Sequence, residues 1–484
     1  MTRSAVAILS VLCLIALALS LGAWAARRTH NALDFAVGSR RLGVWLTALG
    51  YGANALSAWF LFTLCAAAFV WGAAAIWLCI GAVLGAALNL FYLAPRLRVS
   101  SAGQGAVCVV QVVSADVGDR LQPLIVRSLL LFMAPLLLLQ AGAVLRIAGL
   151  AFAEIFSFDF ALTQTLCAAV VGACVFAGGL RGAAAIELAQ SVLMLLILPL
   201  LLLAGLTALG GWEQIGLSIG ALDPAWTDYF GGKRGIIAVA FAGGGVGIGL
   251  AMCGQPQALN RFMAVRDEAA LKRVRWVALG WIALTLILTL AGGWAANLLY
   301  GGLERPELAL FAIAERLLPG WLGAILATAL LAALISSIAG PLLALGVSLH
   351  ADLKRNAAPL SASWMKGAAV AAALAALCLG VAAPESLLER AAFGYTALGA
   401  AIGPLLLVRL GGKRIRPGSM LGAMWSGFVL SLLFHLLPDS PGDFLERVLP
   451  FLAALGIALT GGERRRNPDR ADRSQQTVHD RIPI

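Results

Sequence analysis

Long apolar runs alternate with short polar connections along the whole chain. A helix rises 1.5 Å per residue and a hydrocarbon core is ~30 Å thick, so about 17–25 mostly apolar residues make one crossing. Thirteen runs fit: 4–24, 43–69, 72–95, 122–153, 160–179, 184–208, 235–254, 275–298, 321–349, 364–384, 388–408, 417–437 and 445–461. The pattern predicts an all-α polytopic membrane protein with 13 transmembrane helices. No connection is long enough for a soluble domain. The longest polar stretch, 462–484, is rich in Arg and Asp and reads as a disordered basic tail.

Composition agrees. Of 484 residues, 61% are hydrophobic and 12% charged, whereas soluble domains average about 25% charged residues. A soluble enzyme, a disordered chain and a nucleic-acid-binding module are excluded. No HExxH occurs, and no enzyme is expected. The eight cysteines fall almost entirely inside apolar runs and the four histidines are scattered. The cysteines read as small packing residues, and no transition-metal site or organic cofactor is expected.

The formal net charge of +11 becomes informative once mapped onto the runs. Alternate connections, with the tail, carry 27 of the 35 basic residues; the opposite face carries eight, Arg146 included. The positive-inside bias puts the 27 in the cytoplasm, with the N-terminus outside and the C-terminus inside. The expected location is a bacterial-type inner (plasma) membrane. Ala23-Trp24-Ala25 resembles a signal-peptide cleavage site, but Arg27 and Arg28 follow the apolar run instead of preceding it. An uncleaved helix is expected.

Two glycine-rich runs interrupt this pattern. One is Gly50 to Trp59 in the second predicted helix; the other is Gly243 to Gly249 in the seventh. Glycine lowers helix propensity and lets the backbone unwind, although it also permits close helix packing. The runs lie five helices apart, so helices 2–6 and 7–11 would form a 5+5 repeat of inverted topology. Paired broken helices in two inverted halves point to the binding site of a secondary transporter. The expected organisation is 1–42, an extra helix and cytoplasmic loop; 43–210 and 234–410, the two repeats; 411–461, two further helices; and 462–484, the tail.

Several polar residues fall inside these helices. Ala333, Ser336 and Ser337 share one face of the ninth, since positions i, i+3 and i+4 align. They offer two hydroxyls and a carbonyl, neutral oxygens suited to a hard cation such as Na⁺. Carbonyls near Ala53 and Leu56 in the broken second helix would complete the shell. Glu187 begins the sixth helix and reads either as an ion-linked carboxylate or as a solvated partner of Arg181. Arg146 is read as snorkelling outward or pairing with Glu154.

These residues carry a family resemblance over roughly 34–460. Asp34-Phe35 to Arg40-Arg41-Leu42-Gly43 resembles "DFxxxGRxLG" of the sodium/solute symporters. Gly52-Ala53 to Ser57-Ala58-Trp59 follows. Gly178-Gly179-Leu180 to Glu187 and Gln190 resembles "GGxxAVxxTDxxQ". Gly254-Gln255-Pro256-Gln257 to Arg261-Phe262-Met263 resembles "GQPHxxxRFM" and is the most specific match. Ala333 to Ser337 with Asp352-Leu353 resembles "AAxMST…DLY", and Gly399 to Pro404 resembles "GAAFGP".

The resemblance implies a LeuT-like fold with sodium held by the carbonyls of Ala53, Leu56 and Ala333 and the hydroxyls of Ser336 and Ser337. Glu187 would be the ion-linked carboxylate. Ser57, Trp59, Ile248, Met252 and Pro256 would line the substrate site. Three positions depart from the family's proline transporters. Ala55 stands where they carry an aspartate, Ile248 and Met252 replace aromatic contacts, and Gln257 replaces a histidine. Proline is thereby disfavoured as the solute. The expected function is Na⁺-coupled symport of a small organic solute, with H⁺ as the other candidate coupling ion. The alternative is a transporter-like sensor or regulatory subunit that binds solute without moving it. The expected partners are the solute, the cation and the lipid bilayer.

Overall fold

The computed structural model describes residues 3–464 apart from 116, 119, 157–158, 211–213, 215–217, 220–222, 354–360, 383–386 and 439. The basic tail beyond 464 and the side chain of Trp59 lie outside the described residues, as does that of Glu154.

The principal helices follow the apolar runs. They are α1 (Arg3–Ala26), the short α2 (Ala32–Val37), α3 (Val44–Trp71), α4 (Ile76–Ala87), α5 (Ala94–Gly103), α6 (Gln122–Phe156) and α7 (Phe160–Ala208). Then come α8 (Gly235–Ala251), α9 (Pro256–Met263), α10 (Glu268–Tyr300), α11 (Gly320–Leu353), α12 (Ala362–Ala382), α13 (Leu387–Leu410), α14 (Pro417–His435) and α15 (Leu449–Thr460). Among the described residues, ten stretches are long and apolar enough to cross a membrane. Two of them, Phe60–Gly103 and Phe160–Ala208, run to 44 and 49 residues, well beyond one crossing. A two-stranded antiparallel ribbon, β1 (Lys413–Ile415) with β2 (Gly462–Arg464), ties the start of α14 to the end of α15.

Residues 160–208 form two helices joined without a loop, close to the expected pair 160–179 and 184–208. The break falls at Gly179 (φ 52°, ψ −137°). A methyl on Gly182 would come within 2.9 Å of the Cys174 carbonyl, so the chain doubles back at this point. Only glycine enters that region of backbone space readily. Six of the eight cysteines are buried, Cys13 and Cys378 being exposed. No cluster of three metal-binding side chains occurs among the described residues.

The two glycine runs behave differently. In α3 the helix breaks inside the run, at Ser57 (φ 51°, ψ 153°). In α8 the whole run stays helical, which corrects the expected interruption, and the break comes later, at Met252–Gln255. The α8 glycines bring backbones together instead. A methyl on Gly249 would strike the Gly81 carbonyl of α4, and one on Gly85 would strike the Gly249 carbonyl. Close packing through small residues is the force that holds membrane helices together. Gly249→Ala is therefore expected to destabilise the protein by about 3 kcal/mol, the upper end of overpacking costs, because backbone must move. Thermal unfolding of the detergent-solubilised variant measures this.

Candidate functional site

The break in α3 exposes peptide groups in the middle of a membrane helix. Past Ser57 the helical ladder cannot be continued, so carbonyls of the preceding turn need other partners. Ala55 O accepts a hydrogen bond from Tyr395 Oη of α13 at 2.9 Å. Ala53 and Leu56 belong to the same turn, and both are buried.

The opposing surface is α11. Its Ser337 Oγ donates to Ala333 O at 2.8 Å and its Ser336 Oγ lies 3.1 Å from the same oxygen. Both hydroxyls thus bond back to their own helix, within one turn of each other on a single face. Ser336 also reaches Gln190 Oε1 of α7 at 3.2 Å. The α3 side faces them: a methyl on Gly340 would collide with the Asn54 amide. Gly340 stands three and four residues beyond the two serines, on the same helical face.

A small cavity of about 10 Å³ adjoins the α3 break, lined by residues that include Ala55, Leu56, Phe60, Ile248, Met252 and Tyr395. Ile248 and Met252, two of the expected lining residues, both border it. Ser57 and Pro256, both buried, sit at the two breaks and do not line this cavity.

Beside the cavity runs a chain of amides that sequence reasoning missed. Gln255 Nε2 donates to Tyr395 O at 2.8 Å and to Ala251 O at 3.0 Å. Its Oε1 accepts from Gln257 Nε2 at 3.1 Å, which also approaches Gln140 Oε1 at 3.4 Å. The two carbonyls fix the Gln255 orientation, and each amide then fixes the next. Gln257 Oε1 and Gln140 Nε2 are left buried and unpartnered. Asn89 Nδ2 caps Met252 O at 2.9 Å, satisfying the other break. A run of Gln residues in apolar helices was the available signal, because unpaired amides are costly there.

Glu187 departs most from expectation. It is neither solvated nor paired with Arg181. It is fully buried, and its Oε1 lies 2.5 Å from Arg261 Nη2, also fully buried. Arg261 Nη1 donates to Leu180 O at 3.2 Å, beside the Gly179 break. Glu187 Oε2 lies against Gly50, where a methyl would come within 2.9 Å. Burial of both charges together is what permits either, since an isolated buried ion is several kcal/mol less stable. Arg146 stacks 5.6 Å from the Phe160 ring.

Arg181 instead anchors the segment between α1 and α3. It reaches Asp34 Oδ1 at 3.4 Å and Gly38 O at 3.1 Å, and bonds the Arg28 carbonyl. Ser39 Oγ donates to Asp34 at 2.5 Å and the His30 amide at 3.2 Å. Arg40 extends the strap to Met263 O at 3.0 Å and Ala106 O at 2.7 Å. Burial pushes the Asp34 carboxyl up, but Ser39, the His30 amide and Arg181 outweigh it and hold it below the ordinary 3.8. A depressed carboxyl stabilises the fold above its unfolded value, and that contribution is lost as pH falls through the folded value. The strap is therefore expected to be insensitive to pH from neutrality down to about 4 and to loosen below that. Asp34→Asn is expected to loosen it at neutral pH, by about 1–3 kcal/mol. Hydrogen exchange across residues 28–42 reads both effects.

Comparison with known proteins matches this architecture. The model of the sodium:solute symporter family fits residues 35–429. The chain is 29% identical over 449 residues to the high-affinity proline transporter PutP of Bacillus subtilis, covering 90% of this chain and 93% of that protein. It is 28% identical to the sodium/proline symporter of Haemophilus influenzae, covering 91% of each. Its fold matches a Na⁺-coupled sialic acid symporter with a TM-score of 0.79 at 16% identity, over 96% of this chain and 99% of that one. A nucleobase-cation-symport-1 transporter, MHP1, matches at a TM-score of 0.60 and 15% identity, over 87% and 91%. A break in α3 facing the serine pair of α11, on a transporter fold, with a family match over most of its length, places this chain in the sodium:solute symporter family.

Proposed function

We propose that this protein is a Na⁺-coupled symporter of a small organic solute that works by alternating access. Sodium is held between α3 and α11 by the carbonyls of Ala53, Leu56 and Ala333 and the hydroxyls of Ser336 and Ser337. The observation that carries this reading is the Ser57 break packed against the face bearing the two serines. The ion bridges a broken helix to an intact one, so its binding biases the rocking of one helix group against the other. Glu187, held by Arg261, stands beside the Gly179 break as the ion-linked carboxylate.

The solute binds next to this ion, in the space bounded by Ser57, Trp59, Ile248, Met252 and Pro256. Its apolar part meets Ile248 and Met252. Its polar end meets the unpartnered amide atoms of Gln140 and Gln257, which present one donor and one acceptor. The chain crosses the membrane thirteen times as a 5+5 inverted repeat with one helix before and two after. It lies in the plasma membrane with the N-terminus outside and the C-terminus in the cytoplasm. Thermal stabilisation of the purified protein by a panel of solutes, with sodium and with choline, tests the reading. A solute that stabilises only with sodium is the expected result. Stabilisation equal in the two salts for every effective solute overturns it.

A further inference from the structure

A second cavity lies away from the α3 break, between α1, α7 and α11. It has a volume of about 80 Å³, is open on one side, and has a lining that is almost wholly apolar, including Leu14, Leu21, Val170, Ile186 and Ile335. Its rim residues Leu17 and Leu166 are 43% and 48% exposed on helices that cross the membrane, so the cavity opens toward lipid.

Two polar side chains line it. The Thr163 hydroxyl is committed to Asp159 O at 2.8 Å. The other is Gln190, whose carbonyl oxygen accepts from Ser336. The NH₂ end of Gln190 is thus the single directional donor left for the cavity. Water is a poor filler here, because it needs two to four polar partners. What the membrane supplies at this rim is lipophilic.

We propose that this cavity binds an uncharged membrane-borne lipophile carrying one hydrogen-bond acceptor, and that the bound molecule strengthens sodium binding. An acceptor on the Gln190 NH₂ holds the amide with its carbonyl toward Ser336. The Ser336 hydroxyl then keeps its proton on Gln190, and its lone pairs are left facing the cation. Chain length and apolar contact fix the lipophile, and the acceptor fixes its depth. The inference rests on the reading of Ser336 as a cation ligand.

The test uses the full chain in proteoliposomes, with 1-decanol as the probe and decane as its acceptor-free control. Half-saturation by sodium is measured from sodium-dependent thermal stabilisation. Decanol is expected to lower it roughly two- to tenfold, the range of one hydrogen bond, and decane to leave it unchanged. Val170→Phe and Leu21→Phe, which fill the cavity from two different helices, are expected to abolish the decanol effect. Decane acting as strongly as decanol overturns the proposal without recourse to any variant. So does a decanol effect of full size in both filled variants, which reports the bulk bilayer. A wild-type protein with no sodium response at all defeats the ion-site reading instead, and this inference falls with it.

Discussion

Arg261→Met alone is expected to cost about 3–5 kcal/mol of stability, the largest single-residue effect in the molecule. The substitution leaves Glu187 fully buried without its partner. Removing one member of a buried ion pair exposes the full desolvation penalty of the other. Glu187→Gln alone is expected to be costly for the mirrored reason, with the guanidinium left facing Leu180 O and a neutral amide. The double variant Glu187→Gln/Arg261→Met removes both charges and is expected to be more stable than Arg261→Met. Unfolding midpoints of the three variants in detergent close a double-mutant cycle. Additive losses would mean that the two charges do not depend on one another.

Ser336→Ala combined with Ser337→Ala is expected to abolish stabilisation by sodium while preserving the fold. The Ser337 hydroxyl bonds back to Ala333 O, and the Ser336 hydroxyl has both Ala333 O and Gln190 Oε1 within reach, so the loss of each costs about 1 kcal/mol. The sodium contribution is larger: at a concentration 100 times the dissociation constant, ligand adds about 2.7 kcal/mol. Melting curves with and without sodium separate the two terms. Undiminished sodium stabilisation in the double variant would remove the cation from this face of α11.

The sequence carried the helices and the breaks unevenly. Apolar runs of bilayer length gave the helical segments directly, because lipid leaves the backbone no other partner than itself. The serine face of α11 was readable from i, i+3, i+4 spacing alone. The glycine runs were ambiguous, since one residue type serves both unwinding and close packing. In α3 the run also contains Ser57, where the break occurs; in α8 the glycines meet Gly81 and Gly85, a pairing that depends on the neighbouring helix. Glu187 was misplaced for a similar reason. Its partner lies 74 residues away in α9, and only the return of the chain at Gly179 brings them together. The amide chain joins Gln255 and Gln257, at the start of α9, to Gln140 of α6; the glutamines stood out in the sequence, but their pairing across helices had no local signature.

Uptake into proteoliposomes tests the central claim most directly. Purified protein is reconstituted, and a panel of radiolabelled small solutes beginning with L-proline is offered under an inward sodium gradient, an inward proton gradient, or neither. The account expects at least one solute to accumulate above its external concentration only with the sodium gradient, and Ser336→Ala/Ser337→Ala to abolish that accumulation. Solute binding without accumulation under any gradient would instead mark a sensor, and accumulation driven by protons and indifferent to sodium would contradict the assigned coupling ion.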